Sequence, residues 1–278
     1  MQHARPLVAL LLVGACSEPN APEKSLRWYD LPGQYDVQEW VEFTDVPYDF
    51  TGVDPIARLP VPPTEGTLFA ANDAPPNCAG WSATDDLPRE IEGIVTLHPR
   101  YYTKSSGCLP DPNDDGIDSD EKYYGSYFLQ DSSGGVFVLG DSKVAHFDMG
   151  DRVRMRVRSV RDAFDVPAIV GHDVLEIIRG PEPIYYQVQT ERFSEGDISE
   201  VRRVTGTVID ELGTFGDFTI QTDDGVNFGI GIDSELNRRG AYWPPGTRLQ
   251  VTGPVLYSFQ AYSVLVMKLG QVEELPPE

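Results

Sequence analysis

The chain has 278 residues, with 22 Lys+Arg against 44 Asp+Glu and a formal net charge of −22. Such acidity disfavours nucleic acid and anionic lipid headgroups as partners, because affinity for both comes largely from neutralising phosphates. It suits divalent cations, cationic partners or a salty habitat, and a 40% hydrophobic content is enough for one or two cores.

The N-terminus carries one positive charge, Arg5, then the apolar run Pro6–Ala15 ending in small residues before Cys16. These are the parts of a secretory signal peptide. The run is too short to span a bilayer, which takes about 20 residues. Val13-Gly14-Ala15-Cys16 resembles the lipobox of bacterial lipoproteins. That resemblance implies removal of residues 1–15, lipidation of Cys16 with palmitate-like acyl chains, and a chain held on the membrane by its lipid. At about 0.8 kcal/mol per buried CH2, two or three chains anchor durably where one does not. Ser17, where inner-membrane lipoproteins tend to carry Asp, resembles an outer-membrane address. The alternative is an ordinary cleaved signal with an incidental cysteine.

Residues 16–88 read as a lipidated tether, with 11 prolines between 17 and 88 and little periodicity. Aromatics such as Trp28, Tyr35, Trp40, Phe43, Tyr48 and Phe50 are too many for a purely solvated linker. Parts of Leu26–Trp81 are therefore expected to lie along the folded body as extended, strand-poor segments. With Cys16 lipidated, the free cysteines are Cys78 and Cys108, an even pair in an oxidising compartment, which points to one disulfide. Closing a loop of about 30 residues would stabilise the fold by roughly 3–4 kcal/mol in the chain-entropy model. Two unrelated buried thiols are the alternative.

From residue 89 onward, short runs rich in Val, Ile, Tyr and Phe alternate with Gly, Asp and Ser, which are strand signals at all-β spacing. Their order occurs twice, over 89–180 and 201–274, with 181–200 as linker. Ile91-Glu92-Gly93-Ile94-Val95 matches Val204-Thr205-Gly206-Thr207-Val208, and Gly150-Asp151-Arg152-Val153 matches Gly246-Thr247-Arg248-Leu249. Between them, Tyr127–Val138 matches Phe218–Gly229, which aligns Phe137 with Phe228. An internal duplication weighs heavily in assigning a fold. Each copy reads as a strand, a hairpin, an intervening segment and two further strands; in the second copy Asp233–Gly240 has the cap and terminal Gly of a short helix. This pattern resembles the OB-fold, so the expectation is an all-β chain of two tandem five-stranded barrels. A single continuous β-sandwich is the alternative.

Copy one has a longer first loop, which holds Asp111, Asn113, Asp115 and Gly116 in the register of half a calcium loop. Asp118, Asp120 and Glu121 follow as further oxygen donors, although Lys122 stands where a bidentate Glu belongs. Weak Ca2+ binding is one expectation for this insert and a solvated acidic loop the other. In Arg152–Arg158 arginines occupy alternate positions, with Val153, Met155 and Val157 facing the barrel interior. Arg154 and Arg156 are thus candidates for an anionic ligand, or else for pairing with the acidic insert, the tether or the second domain. The strand two–three face is expected to include Tyr127, Val136 and Val138, and Tyr123 and Tyr124 would add a stacking platform for sugar or peptide. No HExxH, GxSxG, P-loop or GxGxxG occurs. The functional expectation is a non-catalytic outer-membrane lipoprotein whose OB-like barrels bind an envelope protein or oligosaccharide. The alternative is a hydrolase, or an enzyme accessory, acting on envelope oligosaccharide.

Overall fold

The computed structural model describes residues 41–59, 88–97, 127–138, 149–162, 167–233, 236–237, 240–258 and 260–276. Cys16, Cys78, Cys108, the insert residues Asp111, Asn113, Asp115, Asp118, Asp120 and Glu121, and the pair Tyr123 and Tyr124 lie outside them.

The described residues form two barrels of the same topology. In the first, β2 (Arg89–Leu97), β3 (Tyr127–Gln130), β4 (Gly135–Val138), β5 (Arg152–Asp162) and β6 (Pro167–Ile178) close in the order β2-β3-β4-β6-β5. In the second, β9 (Val201–Val208), β10 (Asp217–Gln221), β11 (Asn227–Ile232), β12 (Arg248–Ser258) and β13 (Ala261–Val266) close the same ring through the β12–β9 pairing. In both, strand three meets strand five in parallel while the other pairings are antiparallel. This is the all-β, OB-like fold expected from the duplicated pattern.

The repeat extends to single hydrogen bonds. Gly150 donates to the Val95 carbonyl at 2.9 Å and Val95 to the Asp151 carbonyl at 2.8 Å; Gly246 donates to Val208 at 2.8 Å and Val208 to Thr247 at 2.9 Å. Both entry glycines need positive φ, +90° at Gly150 and +92° at Gly246, a region where Cβ-bearing residues are strained. At strand one, a Cβ on Gly93 would come within 2.9 Å of the Gln130 carbonyl oxygen, and one on Gly206 within 2.6 Å of that of Gln221. The short helix of copy two is present at Leu236–Asn237, where Asn237 N–H donates to the Asp233 carbonyl at 2.9 Å.

Alternation along the strands supplies two interiors. Ile91, Val95, Leu129, Val153, Met155 and Val157 fill barrel one, and Val204, Phe218, Phe228, Ile230, Leu249 and Val264 fill barrel two. A third core lies between the barrels. Ile94, Phe128 and Phe137 on the outside of barrel one pack with Val201, Leu256, Leu265 and Met267 of barrel two and with Ile184 and Ile198 of the linker. Phe128 and Phe137 meet edge to face, ring centroids 5.4 Å apart. Gln130 pins the same junction: its amide donates to the Tyr185 carbonyl at 3.0 Å and its Oε1 accepts from Val201 N–H at 2.6 Å.

Residues 41–59 lie along the body as an extended, strand-poor segment. β1 (Phe43–Thr44) pairs in parallel with β7 (Ile184–Tyr185) of the linker, and β8 (Gln187–Val188) adds to β9. The Tyr48 hydroxyl donates to the Pro183 carbonyl at 3.0 Å and accepts from Tyr185 N–H at 2.6 Å, and burial pushes its pKa up. Asp131, in the β3–β4 turn, holds the far end: one oxygen accepts from Ile56 N–H at 2.8 Å, the other from Ser133 and Gly134 of its own turn. Ile56 itself plugs the barrel-one core.

Candidate functional site

An OB barrel offers the outer side of strands one to three to a ligand. In barrel one that side carries Ile94, Phe128 and Phe137, all buried in the junction. In barrel two, inward Val204, Val208, Phe218, Ile220 and Phe228 leave Thr205, Thr207, Thr219, Gln221 and Asn227 facing out. The pairing register lines them into rows. Arg248 opposes Thr207, Thr207 opposes Gln221 and Gln221 opposes Asn227; on the next row Thr219 opposes Gly229, and Thr205 opposes Gln250. Gln221 donates from its amide to Asn227 Oδ1 at 2.9 Å. The result is a row of neutral hydrogen-bonding side chains across three strands, with Gln221 and Asn227 exposed and the exposed carboxylate of Asp217 on the same side at the start of β10.

Cations at the margins of this surface are already engaged. The Arg203 guanidinium sits 3.6 Å from the Tyr186 ring centroid and donates to Thr252 Oγ1 at 2.9 Å. Arg248 pairs with Asp223 at 3.0 Å. Beside the surface, loop 209–216 exposes Ile209 and Phe215, the latter 91% exposed, and Glu211 in that loop accepts from the Tyr242 hydroxyl at 2.7 Å.

Barrel one corrects three sequence expectations. Tyr127, Val136 and Val138 are inside the barrel, Tyr127 only 1% exposed, rather than on the binding face. Tyr127 opposes Val138 and matches inward-facing Phe218, so it shares the interior side; on strand three the register also departs from the sequence match, through a difference in turn length. Four residues, Asp131–Gly134, separate the paired Gln130 and Gly135, whereas five, Thr222–Val226, separate Gln221 and Asn227. Phe137 therefore matches Gly229 in space, not Phe228, and a one-residue slip exchanges the faces of a strand. Burial keeps the Tyr127 phenol protonated by pushing its pKa up.

The arginine stripe faces outward as the alternation requires. Among the described residues its ion pairs are made mostly with the strands on either side, and Arg152 also reaches the tether. Arg156 and Arg154 both reach Glu90, at 2.6 and 3.1 Å, and together hold its carboxyl below the usual range. Arg152 pairs with Glu92 and covers the Phe50 ring at 4.7 Å, and Arg158 pairs with Asp173. The signal was present in Arg89-Glu90-Ile91-Glu92, whose acids alternate in step with the arginines. Solvent screens the pairs of Glu90 and Asp173, so they add little to stability, whereas Glu92 is buried. Among the described residues, no group of three or more His, Cys, Asp or Glu is placed to hold a metal ion.

No family model matches the chain, and no curated protein matches it. Solved structures similar to it include a p204 HINb domain, 11% identical over 69% of this chain and 100% of that one, with a TM-score of 0.31. A murine DNA-binding protein bound with double-stranded DNA is 8% identical over 67% and 97%, TM-score 0.31. The tetrameric p202 HIN2 is 10% identical over 68% and 93%, TM-score 0.27. At that distance the OB-like assignment rests on the strand pairings of this chain alone.

Proposed function

We propose that this chain is a non-catalytic envelope lipoprotein that holds a neutral, hydrogen-bonding ligand, such as an oligosaccharide segment, on the outer face of its second barrel. The observation that carries the reading is the opposite fate of the two equivalent faces. One is apolar and consumed by the junction; the other is polar and open, its five central side chains neutral and its one carboxylate, Asp217, at the edge. Thr205, Thr207, Thr219, Gln221 and Asn227 offer donors and acceptors and no group that titrates near neutral pH, which suits binding and not proton transfer. Nucleic acid fits poorly, since the face has no free cation among these five residues and the chain carries a charge of −22.

The anchor is part of the same reading and rests on Val13-Gly14-Ala15-Cys16. Replacing Cys16 with Ala should move the protein from the membrane to the soluble fraction or stall its processing. Unchanged retention with normal cleavage would remove the lipoprotein from the proposal. For the face, a panel of neutral and acidic envelope oligosaccharides is offered to wild-type protein, to Thr207→Arg/Thr219→Arg, and to Arg158→Ala. Binding of neutral members that the double variant loses and Arg158→Ala keeps is the expected result. Binding that survives the double variant places the ligand elsewhere.

A further inference from the structure

A concavity lies beside the linker, and none of the barrel-two face residues line it. It is a cleft of about 310 Å3 where the N-terminal segment, the β3–β4 hairpin, the β5–β6 end of barrel one and the linker turn Glu195–Asp197 come together. That volume is in the range of small-molecule sites, about 300–1,000 Å3. Ile56, Leu59, Val136 and Ile198 supply apolar walls. Glu195 and Glu200 supply charge, and among the described residues no Lys, Arg or His lines the cleft.

Two details of the linker point to a ligand. Ser199 lines the cleft, is 1% exposed, and leaves its Oγ buried without a protein partner. Its backbone is held at φ +67°, a conformation that costs a non-glycine residue energy and persists only where the surroundings impose it. Glu200 is held by Arg202 through Oε2 at 2.5 Å, whereas its Oε1 faces the hairpin, 3.6 Å from the position of a Cβ on Gly134. Arg202 is shared with Asp197 at 2.8 Å, so one guanidinium serves two carboxylates. The local balance is negative, at the edge of an apolar hollow.

We propose that this cleft binds a small organic cation, an ammonium group on an apolar body, with the ammonium at Glu200 and the body against Ile56, Val136 and Ile198. Charge complementarity selects the cation, since an anion would meet two carboxylates and no lining base. An ammonium can also donate to the Ser199 hydroxyl, which otherwise has no protein partner. The same chemistry is presented by a free amine or by a lysine side chain of another protein. This site is independent of the barrel-two face.

The test is calorimetric titration of the purified full chain with phenethylammonium, with Nα-acetyl-lysine methylamide, and with 3-phenylpropionate as the anionic counterpart. One or both cations should bind and the carboxylate should not. Binding of the free amine alone assigns a metabolite-like ligand; binding of the lysine derivative assigns a protein lysine. Glu200→Gln should weaken the cation about tenfold. Because Glu200 also pairs with Arg202, a second variant, Ala57→Leu, fills the cleft mouth without touching a charge and should abolish binding with the melting temperature unchanged. No binding by either cation, equal binding of 3-phenylpropionate, or cation binding unaffected by both variants overturns the proposal.

Discussion

Gly134 and Gly135 are neighbours in one hairpin, yet the structure gives them opposite tolerances. A Cβ on Gly134 would find its nearest heavy atoms at 3.6 and 3.8 Å, ordinary contact distances. A Cβ on Gly135 would overlap the carbonyl of Ser199 and stand 2.8 Å from the Glu200 nitrogen. Those are backbone atoms, themselves fixed by Ser199 N–H to Val255 O at 2.8 Å and Val255 N–H to Glu200 O at 2.9 Å. No rotamer relieves the clash; hairpin and linker must part by roughly an ångström, which opens the junction core. Overpacking of this kind costs roughly 1–3 kcal/mol. Neither glycine has positive φ, so Gly134→Ala carries no backbone strain and should be neutral or stabilising by about 0.4–1 kcal/mol through the unfolded chain. Urea unfolding followed by fluorescence reads both variants. Equal midpoints would mean that the hairpin does not press on the linker, and the inter-barrel core would have to be abandoned with it.

Asp131→Ala removes the acceptor for Ile56 N–H and for the turn donors of Ser133 and Gly134, so it should cost roughly 2–3 kcal/mol and release residues 41–59 to limited proteolysis. Proteolysis at the wild-type rate would show that the turn does not hold the segment. His172 is half-buried with its Nδ1 enclosed and unpartnered, and desolvation depresses its pKa below 6.5 despite the opposing field of Asp173. A depressed histidine binds its proton more readily when unfolded, so its stabilisation is full above pH 6.5 and falls as the pH drops below that value. Glu200, raised by burial, works in the opposite sense near and above pH 4.5, so the useful quantity is the difference between wild type and His172→Gln. Between pH 7.5 and 5.5 the wild type should lose stability that His172→Gln retains; parallel curves would place the ring in water.

The barrels were legible because a closed OB ring constrains what the sequence repeats: alternating apolar residues, a glycine under the strand-two carbonyl, and a left-handed glycine before strand four. Gly93 and Gly206, and Gly150 and Gly246, satisfy the same contacts in each copy. The outer faces were not read correctly, because ring closure does not constrain them. A cue existed in Tyr127-Phe128-Leu129 and Val136-Phe137-Val138, which are apolar at every position and so signal burial on both sides. The matching Phe218-Thr219-Ile220 alternates and signals one wet face. Gly135 is small because the linker at Ser199–Glu200 passes against it, a requirement that no local pattern encodes.

The divergence of the copies explains how one duplicated fold divides its labour. Each barrel could in principle close alone, since closure needs only the inner face. Barrel one then puts Phe128 and Phe137 where barrel two has Thr219 and Gly229, and that exchange converts one surface into a joint. The linker contributes Ile184 and Ile198 to the joint and Gln130 ties it to Val201, so two barrels, linker and N-terminal segment share one core. A glycine at 229 also keeps barrel two from acquiring a matching apolar knob, which would invite a second joint with another copy. The polar face therefore stays open because its twin is closed, and a substitution that places an aromatic residue at Thr219 should favour self-association and weaken the binding proposed for this face.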